Sequence, residues 1–177
     1  MTSPTSTRLE TAQSFIQAFV TLSPHGHTSL RTPDCIHIFA PHSIAPPPKT
    51  NDQFFAHLTK LREVLSGFPF TVKEIIDNPT SNQVLIWTTA SPVWHTYIKG
   101  VKGDGGDSGD EKWSYTGEYM FLLTFEPRKG GINEHGEKFQ RVERIMEFLD
   151  SKGTTKLLGL IEKAREILGE LERKDGT

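Results

Sequence analysis

Tyr115-Thr-Gly-Glu-Tyr-Met-Phe-Leu-Leu-Thr-Phe-Glu126 and Phe139-Gln-Arg-Val-Glu-Arg-Ile-Met-Glu-Phe-Leu-Asp150 are two runs rich in aromatic and branched residues. The polar segment Pro127-Arg-Lys-Gly-Gly-Ile-Asn-Glu-His-Gly136 lies between them, so they read as adjacent antiparallel strands joined by an enlarged hairpin loop. Ionisable side chains are threaded through both: Tyr115, Glu118, Tyr119, Arg141, Glu143, Arg144, Glu147 and Asp150. On a flat sheet these are the wet side, with Tyr115 and Tyr119 as cross-strand packing and Glu147 paired with Arg144 or Arg141. On a curled sheet they line a cavity. Parity is the difficulty: Glu147 shares a face with Arg141, Glu143 and Ile145, while Val142, Met146 and Phe148 take the other. Simple alternation puts the apolar set inward, so a bulge or strong curvature is needed to bring Glu147 into a cavity.

Moving outward, Phe70–Ile76 and Val84–Ala90 form a second hairpin about a turn at Asp77-Asn-Pro-Thr-Ser-Asn82. Upstream, Leu9, Ala12, Phe15 or Ile16, Phe19 and Leu22 recur at helical steps until Ser23-Pro-His-Gly26 ends the pattern. Thr32-Pro33-Asp34 resembles a helix start, so a short helix or turn is expected to carry Cys35, His37 and Phe39. A further helix is expected from Thr50 or Asn51 through Phe54, Leu58, Leu61 and Leu65, with Gly67 as its terminating glycine and His57 in solvent. Downstream, Leu157, Leu158, Ile161, Ala164, Leu168 and Leu171 mark an apolar stripe on a helix over 154–172. Residues 1–8 read as a frayed arm and 9–172 as a single domain.

The segment Gly100–Glu111 is rich in Gly and Asp and reads as a mobile loop; strands rather than helices flank it, unlike an EF-hand. His25-Gly-His27 lacks a third ligand and reads as an exposed turn, so no metal site is expected. A net charge of -2 and a pI near 6.4 give nucleic acid no electrostatic hold. One cysteine, Cys35, excludes an intramolecular disulfide. With neither an apolar leader nor a spanning segment visible, a soluble, cytoplasmic protein with no membrane partner is expected.

Helix, short helix, helix, about four long antiparallel strands and a terminal helix define an α+β domain. In that layout, Arg31-Thr-Pro-Asp-Cys-Ile-His37, the Tyr115, Glu118, Tyr119 pattern and Glu147-Phe-Leu-Asp-Ser151 resemble the fungal SnoaL-like branch of the NTF2-like superfamily. The resemblance covers nearly all of residues 9–151. It implies a cone in which a curved antiparallel sheet wraps around the N-terminal helices, here with an extra C-terminal helix. Relatives include cofactor-free isomerases and cyclases of polyketide, meroterpenoid or indole-alkaloid intermediates; others are dehydratases, hydrolases or binders, and fold alone does not choose among them.

The resemblance to semipinacolases implies a catalytic group of one arginine, two tyrosines and a late glutamate, matching Arg31, Tyr115, Tyr119 and Glu147. Phenols and a buried carboxyl suit proton exchange, and an arginine suits a developing oxyanion, although Arg31 could equally brace a helix. His37, Phe39, Trp87, Trp94, His95 and Phe121 are the candidate substrate-binding residues, the two histidines also as bases or as structural histidines. The implied activity needs no cofactor. Its implied partners are a small hydrophobic polycyclic substrate and, in a homodimer, a second copy of the chain. The competing readings are a pocket protein that carries a metabolite without chemistry and a scaffold that dimerises through its sheet.

Overall fold

Gly117–Phe125 and Val142–Leu149 are neighbouring antiparallel strands, with Phe121 opposite Glu147 and Met120 opposite Phe148. They belong to a computed structural model that describes residues 6–44, 46–99, 111–127, 131–132 and 138–175. In chain order the elements are α1 (Thr7–Ala18), α2 (Pro24–Ser29), β1 (Arg31–Ala40), α3 (Asn51–Leu61), β2 (Leu65–Gly67), β3 (Phe70–Asn78), β4 (Gln83–Ala90), β5 (Val93–Trp94), α4 (Thr96–Lys99), a single turn at Glu111–Trp113, β6 (Gly117–Phe125), β7 (Gly131–Ile132), β8 (Lys138–Phe139), β9 (Val142–Leu149) and α5 (Ser151–Asp175). Five strands form the main sheet in the order β1-β9-β6-β4-β3.

The segment expected as a short helix is instead the strand β1, parallel to β9. Its sequence explains this: Cys35 and His37 alternate with the exposed Ile36, and β-branched residues favour the pleat. Thr32-Pro33-Asp34 falls where the β1–β9 register shifts, and the Asn51 side chain donates to the Thr32 and Pro33 carbonyls at 2.8 and 3.1 Å. The turn expected at Ser23-Pro-His-Gly26 and through His27 is instead the start of the helix α2, capped by Ser23 with Pro24 in its first turn. Helix α3 starts at a Thr50/Gln53 capping box and ends at Leu61; Gly67 lies in β2, where a Cβ would overlap the Val20 carbonyl. Helix α5 begins at Ser151, ahead of the expected start. The interrupted hairpin loop holds the two-stranded ladder β7–β8, and the loop expected at 100–111 lies, but for Glu111, outside the described residues.

The inner face of the sheet packs on the helices. Phe15, Phe54, Phe121 and Phe125 are fully buried, each contributing roughly 2 kcal/mol. Its outer face is unusual for an antiparallel sheet, because Phe148, Met120 and Trp87 stand in one cross-strand row and are 51%, 40% and 40% exposed. Met146, Leu122, Leu85 and Ile76 form the next row. Among the described residues no helix is long and apolar enough to cross a membrane.

Candidate active site

Register decides the site. On β9 the pairing with both neighbours shifts between Val142 and Arg144, so Val142, Ile145 and Glu147 all turn inward while Met146 and Phe148 turn out. The irregularity resolves the parity problem and leaves Glu147 8% exposed, flanked by Phe39 of β1 and Phe121 of β6. His37, two residues before Phe39 on β1, shares its face. Paired backbone bonds to Lys49, at 2.9 and 2.8 Å, fix the other edge of His37.

Arg31, His37 and Glu147 form a continuous buried hydrogen-bond chain. Arg31 Nη2 lies 3.2 Å from His37 Nδ1, and His37 Nε2 lies 2.8 Å from Glu147 Oε2. A guanidinium can only donate, so His37 Nδ1 accepts, the neutral ring carries its proton on Nε2, and Glu147 Oε2 accepts that proton's hydrogen bond. Burial pushes the Glu147 carboxyl up to about 8, against the opposing pull of Arg31. Burial, with Arg31 adding to it, holds His37 well below the ordinary histidine range. Both directions favour a neutral imidazole beside a neutral carboxylic acid over an ion pair. With Oε2 accepting, the carboxyl proton sits on Oε1.

Burying a charged arginine costs several kcal/mol. Its guanidinium lies 4.1 Å from the Phe54 ring centroid, a contact that returns about 2 kcal/mol. Burial lowers its pKa to about 10, so it keeps its charge, while Nε and Nη1 have no hydrogen-bond partner among the described residues. Stability alone does not account for this arrangement; buried, mutually shifted groups of this kind concentrate at functional sites.

Tyr115 precedes β6 rather than lying in it, yet its hydroxyl reaches that of Tyr119 at 2.8 Å, and both residues are buried. Gly117 makes this possible, since a Cβ there would overlap the Tyr115 hydroxyl. Burial raises both phenols, so they stay protonated.

Phe39 stacks on His37 at 4.5 Å, and Phe121 stacks on Tyr119 at 6.5 Å. Trp94 is buried against Trp113, donating to its carbonyl at 3.1 Å, beside the chain that leads to Tyr115. The structure does not bring Trp87 or His95 to the group. Trp87 is on the outer face, donating to Glu118 at 2.7 Å, because alternation on β4 turns Ile86 and Thr88 inward instead. His95 stacks on Tyr97 and contacts the Arg62 carbonyl at 2.9 Å. Burial pushes the Cys35 thiol up to about 11, unsuited to a nucleophile.

Sequence reasoning put His27 in an exposed turn, whereas it is fully buried against Phe15, Phe19 and Phe54. Its spacing from Ser23 and Pro24 on a capped helix was the available signal. It also placed His57 in solvent, whereas His57 is half-buried against Phe39 and Phe54. An open groove of about 620 Å³ runs along α1 and α2, and none of the acid/base residues lines it. Among the described residues no cluster of three or more potential ligands could hold a metal ion.

No family model matches the chain. It is 28% identical to the monooxygenase AacuP of Aspergillus aculeatus over 168 residues, 94% of this chain and 99% of that one. Its fold is similar to that of the BvnE pinacolase of Penicillium brevicompactum, with a TM-score of 0.64 and 20% identity over 90% of this chain and 95% of that one. It is also similar to an NTF2-like protein of Burkholderia pseudomallei, with a TM-score of 0.57 and 15% identity over 89% and 98% of the two chains. The fold implied by the sequence is therefore the one observed: the chain has the NTF2-like fold.

Proposed function

We propose that this protein is a cofactor-independent isomerase or cyclase that rearranges a polycyclic secondary-metabolite intermediate by proton transfer. The observation that carries the reading is the buried chain from Arg31 through His37 to Glu147, beside two hydrogen-bonded phenols and ringed by aromatic side chains. At neutral pH a carboxyl with a pKa of about 8 begins as an acid. Glu147 gives its Oε1 proton to a carbonyl, hydroxyl or ether oxygen of the substrate, and the resulting carboxylate takes a proton back once the skeleton has rearranged. The proton count is unchanged over the cycle, as an isomerisation requires. His37 holds the carboxyl in place through Nε2–H, Arg31 offsets the negative charge that appears on it, and the phenol whose proton the Tyr115–Tyr119 bond leaves free donates to a substrate oxygen. That BvnE, a fold neighbour, is a pinacolase supports a rearrangement.

The outer sheet face favours a second, compatible role as a homodimer interface, because two adjacent apolar rows are left in solvent on a single chain. Glu118 lies beyond one end of these rows and Arg144 beyond the other. A two-fold axis running along the rows would set the glutamate of each copy near the arginine of the other. The name of AacuP favours an oxidation as the alternative chemistry. Deleting the gene and identifying the accumulated intermediate by mass spectrometry tests the assignment: an isomer of the downstream metabolite supports rearrangement, a species one oxygen short supports oxidation, and an unchanged profile rejects both.

A further inference from the structure

The Tyr115 hydroxyl is wedged between two glycines. A Cβ at Gly117 would overlap it, and a Cβ at Gly153, in the first turn of α5, would lie 3.3 Å from it while overlapping Asp150 Oδ2. Gly153 thus lets a carboxylate and a phenol close on the same Cα, with their oxygens under about 6 Å apart, the reach of two successive O–H···O bonds. Asp150, half-buried just past β9, is held firmly there. Its N–H donates to the Glu118 carbonyl, beside Tyr119, at 3.1 Å, and its carbonyl accepts from the Thr154 N–H at 2.7 Å. Its Oδ1 caps α5 by accepting from the Gly153 N–H at 3.0 Å, and Oδ2 takes no hydrogen bond among the described residues. One of the two phenolic protons lies in the Tyr115–Tyr119 bond and the other is left free. A carboxylate only accepts, so with Asp150 beside Tyr115 the pair is polarised from Tyr119 toward Tyr115, and the free proton is that of Tyr115.

We infer that a hydroxyl group of the substrate bridges Tyr115 and Asp150, its oxygen accepting the Tyr115 O–H and its own proton donated to Asp150 Oδ2. This is a second oxygen, apart from the one that Glu147 protonates. The assignment rests on the proposed acid/base site and narrows its substrates to polycycles that carry a free alcohol or phenol. A ketone or methyl ether at the same position accepts from Tyr115 but turns a lone pair toward Oδ2, so it binds more weakly.

Equilibrium binding of two fluorescent probes at neutral pH, β-naphthol and its methyl ether, tests this. The ether keeps the rings and the acceptor oxygen but has no proton to give. The wild-type protein is expected to bind the naphthol at least ~10-fold more tightly than the ether. Asp150→Asn keeps the cap, because the amide oxygen accepts the Gly153 N–H, but it puts an NH2 donor in place of Oδ2. The preference is expected to vanish in that variant. Glu147→Gln is expected to keep the preference whatever it does to turnover, so failure of the hydroxyl seat and failure of the acid/base reading are separate results. Equal wild-type affinities, or no binding of either probe, overturn the inference without any variant having to fold. A preference that survives Asp150→Asn in a folded protein overturns it as well.

Discussion

The imidazole of His37 and the carboxyl of Glu147 meet at 2.8 Å although 110 residues separate them in the chain. The parallel pairing of β1 with β9 creates the contact, and the irregularity near residue 143 turns Glu147 to the face that His37 occupies. Because Arg31 fixes the imidazole tautomer, the free proton of the acid is confined to the other carboxyl oxygen. This gives the site a defined starting protonation state and fixes the sign of its pH dependence.

A general acid with a pKa of about 8 works in its protonated form, so turnover is expected to be level below that pH and to fall above it. Glu147→Gln keeps the hydrogen bond from His37 but cannot give up a proton, and is expected to lower turnover at least ~10-fold without unfolding the domain. Tyr119→Phe is expected to cause a similar loss. Steady-state rates against pH check all three; a wild-type rate that climbs toward pH 8 would assign Glu147 as the initial base instead.

Stability follows the same protons. The folded pKa of Glu147 lies above its unfolded value of roughly 4.3, so its contribution is full below that value and is lost as pH rises through about 8. His37 and His27 are shifted downward, and their contributions are present above about 6.5 and lost as pH falls toward the folded values. The melting temperature of the wild type is therefore expected to decline between about pH 6.5 and 9, and that of Glu147→Gln to decline less. Parallel melting curves for the two proteins would contradict the burial assigned to this carboxyl.

Gly117→Ala forces a methyl group onto the Tyr115 hydroxyl and is expected to cost about 1–3 kcal/mol of stability. In a Tyr115→Leu background, where no phenol reaches the glycine, the same change is expected to cost less. Chemical denaturation of the four proteins gives the coupling. An equal cost in both backgrounds would separate Gly117 from the placement of the phenol.

Phe148→Glu puts a charge in the most exposed apolar row of the outer sheet face and leaves the core untouched. Sedimentation is expected to show a wild-type dimer and a folded monomeric variant. A wild-type protein that is monomeric at micromolar concentrations would rule out this face as a self-association surface.

The central hairpin, the β3–β4 hairpin and the long helices were legible because periodicity and turn residues agree there. β1 was not: Thr32-Pro33-Asp34 carries the chemistry of a helix start, and only pairing with β9, fixed by tertiary structure, makes that stretch extended. The side on which Glu147 lies was readable only as a conditional, since alternation points it outward and the register irregularity reverses that. Trp87 could not be separated from Phe121 by residue type, because both are aromatic residues on central strands and only the face distinguishes them. The link from Arg31 to Glu147 through His37 has no local signal, as its members come from opposite ends of the domain.

The most direct measurement is conversion of the accumulated intermediate by purified protein in heavy water, under argon, with chelator and no added cofactor. The account expects full conversion to an isomeric product, with deuterium only at positions protonated during turnover and with activity lost in Glu147→Gln. Conversion that requires oxygen or a reductant, or that proceeds at the wild-type rate in Glu147→Gln, would contradict it.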